Sequence, residues 1–142
     1  MVSKEKEKEV KIMLKDFVER IKNNSIYIII GLFTFWKGYI FFTERTFFFY
    51  PPQWTWLMNN AYFDCCMMLA GLALVIYSVI PYRNDALLGC ILGAIVFIFA
   101  VIVGIEWEHV RFAGQIKLKE NIASNLLTIG TVFWVAHHWD KH

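Results

Sequence analysis

Apolar runs separated by short polar stretches dominate the chain. Three of them cover residues 26–42, 61–80 and 86–105, and each contains at most one charged residue. A helix rises about 1.5 Å per residue, so about 20 apolar residues cross the roughly 30 Å hydrocarbon core of a bilayer. The pattern therefore predicts three transmembrane helices. The run 26–42 is short, and 86–105, which has no charge, is the clearest.

A fourth apolar run covers residues 122–139 and is interrupted by Asn125. It predicts a fourth transmembrane helix, with a helix lying at the membrane surface as the alternative. The predicted fold is thus all-α and integral to the membrane, a small bundle of four transmembrane helices. Residues 26–142 form its membrane domain.

Residues 1–25 have a different pattern, with lysine and glutamate alternating from Lys4 to Glu9. Apolar residues then recur at helical spacing at four positions: Val10, Leu14, Phe17 and Ile21. Such periodicity is typical of an amphipathic helix that lies on a membrane surface. A charged helical extension of the first span is the alternative.

Composition agrees with a membrane protein. Of the 142 residues 58% are hydrophobic and 18% charged, whereas a soluble domain has about half apolar and a quarter charged residues. The net charge of +2 is too small to indicate a nucleic-acid partner. The bilayer is the partner that this composition predicts.

The distribution of basic residues predicts the orientation. Seven lysines and arginines precede the first apolar run, but only Arg45 lies between the first two runs. Because loops rich in Lys and Arg stay on the cytoplasmic side, the N-terminus is expected in the cytoplasm, under the cytoplasmic (plasma) membrane. Four spans would return the C-terminus to the same side.

The segment FFFYPPQWTW, residues 47–56, joins the first two runs. Its adjacent prolines exclude a central β-strand, and aromatic rings favour the membrane–water interface. We expect an interfacial loop, with docking of lipid or a partner protein as the alternative. The predicted interfacial aromatic belt consists of Phe47, Phe48, Phe49, Tyr50, Trp54, Trp56 and Trp107.

Small residues at helical spacing predict where the helices pack. In lipid, helices associate where small side chains let their backbones approach. The third span has Gly89, Gly93, Ala100 and Gly104 on one face, the first has Gly31 and Gly38, and the second has Gly71. The pattern does not distinguish a neighbouring helix of the same chain from one of another copy.

Two charged residues interrupt the first two spans, Lys37 and Asp64. Their predicted depths differ by only about 3 Å, and charges inside a membrane usually have partners. They are a candidate intramembrane ion pair. The alternative is that both side chains extend to the membrane surface.

Two histidine-containing segments raise the question of a metal. EWEHVR (106–111) and HHWDKH (137–142) lie on opposite membrane faces in the predicted topology, and neither has the ligand spacing of a zinc motif. They are expected to be solvated loop ends, with no metal and no cofactor. Cys65, Cys66 and Cys90 are expected to act as small apolar packing residues.

Neither a nucleophile–base pair, nor a phosphate loop, nor a dinucleotide fingerprint is recognisable, so we expect a non-enzymatic protein. In its general plan, spans plus charged tails, the chain resembles the small membrane proteins of bacteriophages, including multi-span holins. That resemblance rests on no motif and implies a homo-oligomer that permeabilises the cytoplasmic membrane. The alternatives are an accessory or scaffold subunit of a membrane complex, a phage exclusion or immunity factor, and a small transporter.

Overall fold

The computed structural model describes residues 2–44, 52–53, 55–114 and 118–138. Within these ranges all regular secondary structure is helical, which confirms the prediction of an all-helical chain for this part of it. The helices are α1 (Val2–Asn23), α2 (Ser25–Thr43), α3 (Thr55–Met58), α4 (Ala61–Val79), α5 (Asp85–Ala113) and α6 (Leu118–His138).

Helix α1 leads into α2 with only Asn24 between them. The Asn24 N–H donates to the Arg20 carbonyl (2.9 Å) and the Asn24 carbonyl accepts from the Ile28 N–H (3.2 Å), so helical bonding continues through the junction. The buried Asn24 amide donates to the Ser78 carbonyl near the end of α4 (2.8 Å). This bond fixes the junction, while the apolar stripe of α1 stays exposed.

Helices α2 and α4 form a tightly packed antiparallel pair built on glycine. A Cβ atom added at Gly31 would lie 2.7 Å from the Gly71 carbonyl oxygen. One added at Gly71 would lie 2.5 Å from the Gly31 carbonyl oxygen. One added at Gly38 would lie 2.9 Å from Cγ of Met68. A Cβ atom at any of these three positions would push the two backbones apart, so the glycines set the spacing between α2 and α4.

Asparagines begin both α4 and α5. The Asn60 side chain accepts from the Tyr62 N–H (2.9 Å), and that of Asn84 accepts from the Leu87 N–H (3.0 Å). Each satisfies a backbone donor that the first turn leaves without a partner. Helix α5 ends at Gly114, whose φ of 65° is the left-handed conformation that commonly terminates helices.

Helix α5 is longer than predicted. We expected the span to end at residue 105, but the helix continues to Ala113 because Gly114 is the first residue with a helix-ending conformation. The expectation that EWEHVR is a solvated loop end is therefore wrong in part, since the segment lies within α5 and Glu106 and His109 are buried in the bundle. They lie on the core-facing stripe of α5 with Ile95, Phe99 and Ile102.

Helix α6 packs along α5 and completes the bundle. Its buried face consists of Ile122, Asn125, Thr128, Val132 and Val135. We call the side where α2 and α5 end and α4 and α6 begin the Thr43 end.

Three helical segments of the described residues are long and apolar enough to cross a membrane, which agrees with a membrane location: Ser25–Thr43, Ala61–Val79 and Asp85–Phe112. Helix α6 is not among them, although its 21 residues suffice in length. Polar residues occupy both of its ends, so its apolar part is short. The fourth span stays a prediction.

Candidate functional site

Three polar side chains from three helices meet inside the bundle. The Lys37 ammonium of α2 donates a hydrogen bond to Oδ1 of Asn125 in α6. The Asn125 amide nitrogen then donates to Oε2 of Glu106 in α5, at 2.7 Å. We call this chain of hydrogen bonds the polar link.

Helical periodicity explains how these residues meet. Glu106 follows Ile102 by four residues on the core-facing stripe of α5, and Asn125 lies between the buried Ile122 and Thr128 of α6. The side chains of Glu106 and Asn125 are 0% exposed. Lys37, on α2, is partly buried next to the Gly38 contact. A cation, an amide and an acid therefore meet across three helices.

The Asn125 amide connects two groups of opposite charge. Its oxygen accepts from the lysine ammonium and its nitrogen donates to the glutamate, so each charged group has a hydrogen bond of the correct polarity. The Lys37 nitrogen also lies 5.7 Å from the ring centroid of Phe33 and 5.9 Å from that of Phe99. Aromatic faces at this distance attract a cation, and surroundings of low polarity strengthen the hydrogen bonds.

One oxygen atom of the polar link has no hydrogen-bond partner among the described residues. Oε1 of Glu106 is buried and receives no hydrogen bond from any residue in the described ranges. The buried hydroxyls of Thr34 and Thr128 donate within their own helices, to the Ile30 carbonyl and the Ser124 carbonyl respectively. The site thus has a buried carboxylate oxygen open to a further ligand.

The predicted Lys37–Asp64 ion pair stays a prediction, and the hydrogen bond of the Lys37 ammonium goes to Asn125. Asp64 is buried in α4, and its backbone lies against Gly38. Lys37 is the residue before Gly38, and its side chain therefore lies about 100° away from Gly38 around α2. Its ammonium therefore points toward α5 and α6, where it meets Asn125.

Sequence reasoning missed Glu106 and Asn125. In the sequence, Asn125 interrupts an apolar run, and Glu106 lies just beyond the predicted third span, which ends at residue 105. The available signal was the polar residue at a core-facing position of each helix. Nothing in the sequence indicated that the two would meet, because that depends on how α6 packs against α5.

The glycines of α5 have surroundings unlike those of α2 and α4. A Cβ atom added at Gly89, Gly93 or Gly104 would meet no described atom within 4 Å. Ala100 is exposed on the same face. These four residues, which we call the α5 stripe, lie on the side of α5 away from the bundle core.

Other predicted site residues lie at the surface or outside the described ranges. Trp56 and Trp107 are 68% and 60% exposed, while the belt residues Phe47, Phe48, Phe49, Tyr50 and Trp54 lie outside the described ranges. Cys65, Cys66 and Cys90 are exposed, which corrects their expected role as packing residues. In the part of the chain that the structure describes, no group of three His, Cys, Asp or Glu side chains is placed to hold a metal ion.

The fold and the site define a helical bundle with apolar, membrane-length helices and a buried polar link. Comparison with protein-family models, with curated proteins and with solved structures found no match for the chain.

Proposed function

We propose that this protein is a non-enzymatic, multi-pass membrane protein that self-associates and, like a holin, permeabilises the cytoplasmic membrane. The observation that carries the proposal is the α5 stripe. Its glycines allow close helix approach, yet the described part of the chain places nothing against them.

The contrast between two groups of glycines supports self-association. Gly31 and Gly71 already serve the chain's own α2–α4 contact, where an added Cβ atom would lie 2.5–2.7 Å from the opposing backbone. The α5 stripe offers the same kind of surface without a neighbour. Two copies of α5 facing each other would use the same patch twice, as a two-fold symmetric dimer requires.

Permeabilisation is supported by the resemblance of the general plan to holins and by the polar link. Its three side chains put charge and hydrogen-bonding capacity inside an otherwise apolar bundle. When helices separate in an oligomer, such groups can line an aqueous path.

The proposed topology places the N-terminus in the cytoplasm, with α1 at the inner membrane surface. Its support is the concentration of seven basic residues before α2. With α6 as a fourth span, the C-terminus is cytoplasmic too. The Thr43 end then faces outward, and the polar link lies about 10 Å inside it, six or seven residues from the helix ends.

Cross-linking through Cys90 tests self-association, because this cysteine is exposed beside Gly89. A variant with Cys65→Ser and Cys66→Ser keeps Cys90 as its only cysteine. Expressed in bacterial membranes and oxidised, it should form a disulfide-linked dimer. After a delay following induction, the membrane potential of the cells should collapse abruptly and an impermeant dye should enter them.

Gly93→Leu is the decisive variant, and Gly130→Leu is its matched control. Both glycines face open space in the described structure, but Gly130 lies on α6. We expect Gly93→Leu to abolish the cross-link and the collapse at unchanged protein level, and Gly130→Leu to preserve both. Continued growth with an intact potential at high expression would contradict permeabilisation.

The second candidate is an accessory or scaffold subunit of a membrane complex, which the same unoccupied stripe favours. A helix of another membrane protein fits the α5 stripe by the same packing rule. In that case Cys90 would cross-link to the second protein, and no homodimer would form.

A further inference from the structure

We propose that Oε1 of Glu106 is a proton-binding site inside the helix bundle. Its ligand is a proton supplied by water at the Thr43 end. The proposal concerns this carboxylate oxygen and does not depend on the proposed permeabilising function.

The hydrogen bonds of the polar link distinguish the two carboxylate oxygens. Oδ1 of Asn125 accepts from Lys37, so the other end of the amide is its NH₂ group and must donate. Oε2 of Glu106 therefore acts as an acceptor and carries no proton. Oε1 is equally buried but has no donor among the described residues. Burying an unsatisfied carboxylate oxygen is unfavourable, and a proton on Oε1 removes the charge.

The position of Glu106 in α5 suggests a route for the proton. Glu106 lies about 10 Å from the end of the helix at Ala113, seven residues away. His109 lies between them, one turn beyond Glu106 on the same buried face. A proton that reaches Oε1 forms an O–H bond there and neutralises the carboxylate.

The charged groups around Glu106 come from several helices. Helix α2 contributes the Lys37 ammonium, and α6 contributes the neutral Asn125. Toward the Thr43 end, the surrounding helices also carry the buried Asp64 of α4 and the exposed Lys119 and Glu120 of α6. Helix α5 itself carries the buried His109, the partly buried Glu108 and the exposed Arg111 there.

Binding of the proton weakens the polar link. The hydrogen bond from Asn125 to Oε2 then changes from charge-assisted to neutral, which makes it roughly half as strong. The Lys37 ammonium loses its counter-charge while it remains within 6 Å of the ring centroids of both Phe33 and Phe99. We expect acid to loosen the attachment of α2 to α5 and α6.

Infrared spectroscopy of the full chain in lipid vesicles, with ¹³C-labelled glutamate carboxyl groups, tests the proposal. A protonated carboxyl in apolar surroundings absorbs at higher frequency than a solvated one. Upon acidification, this high-frequency band should appear in the wild type and be absent from Glu106→Gln. The matched control Glu108→Gln, on the same helix, should retain it.

A second variant, Lys37→Met, removes the positive neighbour and leaves Glu106 in place. The band should then persist to higher pH, with a proton affinity at least about tenfold greater, equivalent to one pH unit. A band that never appears, one that does not change with pH, or a midpoint unaffected by Lys37→Met would overturn the proposal. If circular dichroism shows that Glu106→Gln does not fold, the pH dependence of the band in the wild type and in Lys37→Met still tests the proposal. The band reports proton binding at Glu106 whether or not the protein permeabilises membranes, so failure of the proposed function would not change this result.

Discussion

Replacing Gly71 by alanine is expected to push α2 and α4 apart. The new Cβ atom would lie 2.5 Å from both the Gly31 carbonyl oxygen and the Phe35 backbone nitrogen. Ordinary van der Waals contact begins at 3.4 Å, so the helices must separate by close to 0.9 Å. Backbone atoms cannot rotate away as a side chain would. The strain therefore falls on the whole α2–α4 interface.

Overpacking of this kind costs about 1–3 kcal/mol. The folding equilibrium constant should fall by about fivefold to 150-fold, since 1.4 kcal/mol corresponds to a factor of ten. Replacing a helical glycine by alanine also stabilises the helix by up to about 1 kcal/mol. Gly93→Ala receives the same benefit at a position without neighbours in the described structure. The difference between the two variants isolates the α2–α4 contact.

The assay is unfolding of the full chain in mild detergent micelles by added SDS, followed by circular dichroism. Gly71→Ala should unfold at lower SDS than the wild type, whereas Gly93→Ala should match or exceed the wild type. Equal free energies of unfolding for the two variants would refute the inferred close packing of α2 on α4.

The remaining predictions concern the buried hydrogen bonds. Asn125→Leu removes two hydrogen bonds to charged groups, each worth about 1.5–3 kcal/mol. It should therefore lower the free energy of unfolding by about 3 kcal/mol or more, and a loss below about 0.5 kcal/mol would contradict this. Lys37→Met and Glu106→Gln should each lower the free energy of unfolding, but the double variant should lower it by less than the sum of the two single losses. Strictly additive losses in this double-mutant cycle would argue against coupling between the two side chains. Asn24→Ala should cost about 1 kcal/mol by removing the bond to Ser78. Faster hydrogen exchange at the α1–α2 junction is the measurement, and unchanged exchange would count against an anchoring role.

The sequence by itself determined the helical elements and their environment. Apolar runs of about 20 residues with at most one charge have few stable solutions other than membrane-length helices. The predicted boundaries 26–42 and 61–80 therefore differ by only one residue at either end from α2 and α4. Capping also has a local origin, since Asn60, Asn84 and Gly114 act on backbone groups within a few residues.

Only the tertiary structure decided which polar residues meet. Lys37 and Asp64 have similar depths, but depth does not specify direction around a helix. Gly38 brings the α4 backbone against one side of α2, so Lys37, the residue before it, faces α5 and α6. Asn125 and Glu106 are 19 residues apart and meet because α6 packs along α5.

The same distinction applies to the glycines. Sequence spacing identified small residues in three helices without showing which of them already had neighbours. The structure uses Gly31, Gly38 and Gly71 within the chain and leaves the α5 stripe unoccupied by any described residue. Spacing along one helix fixes which residues share a face. What that face meets depends on the arrangement of the other helices.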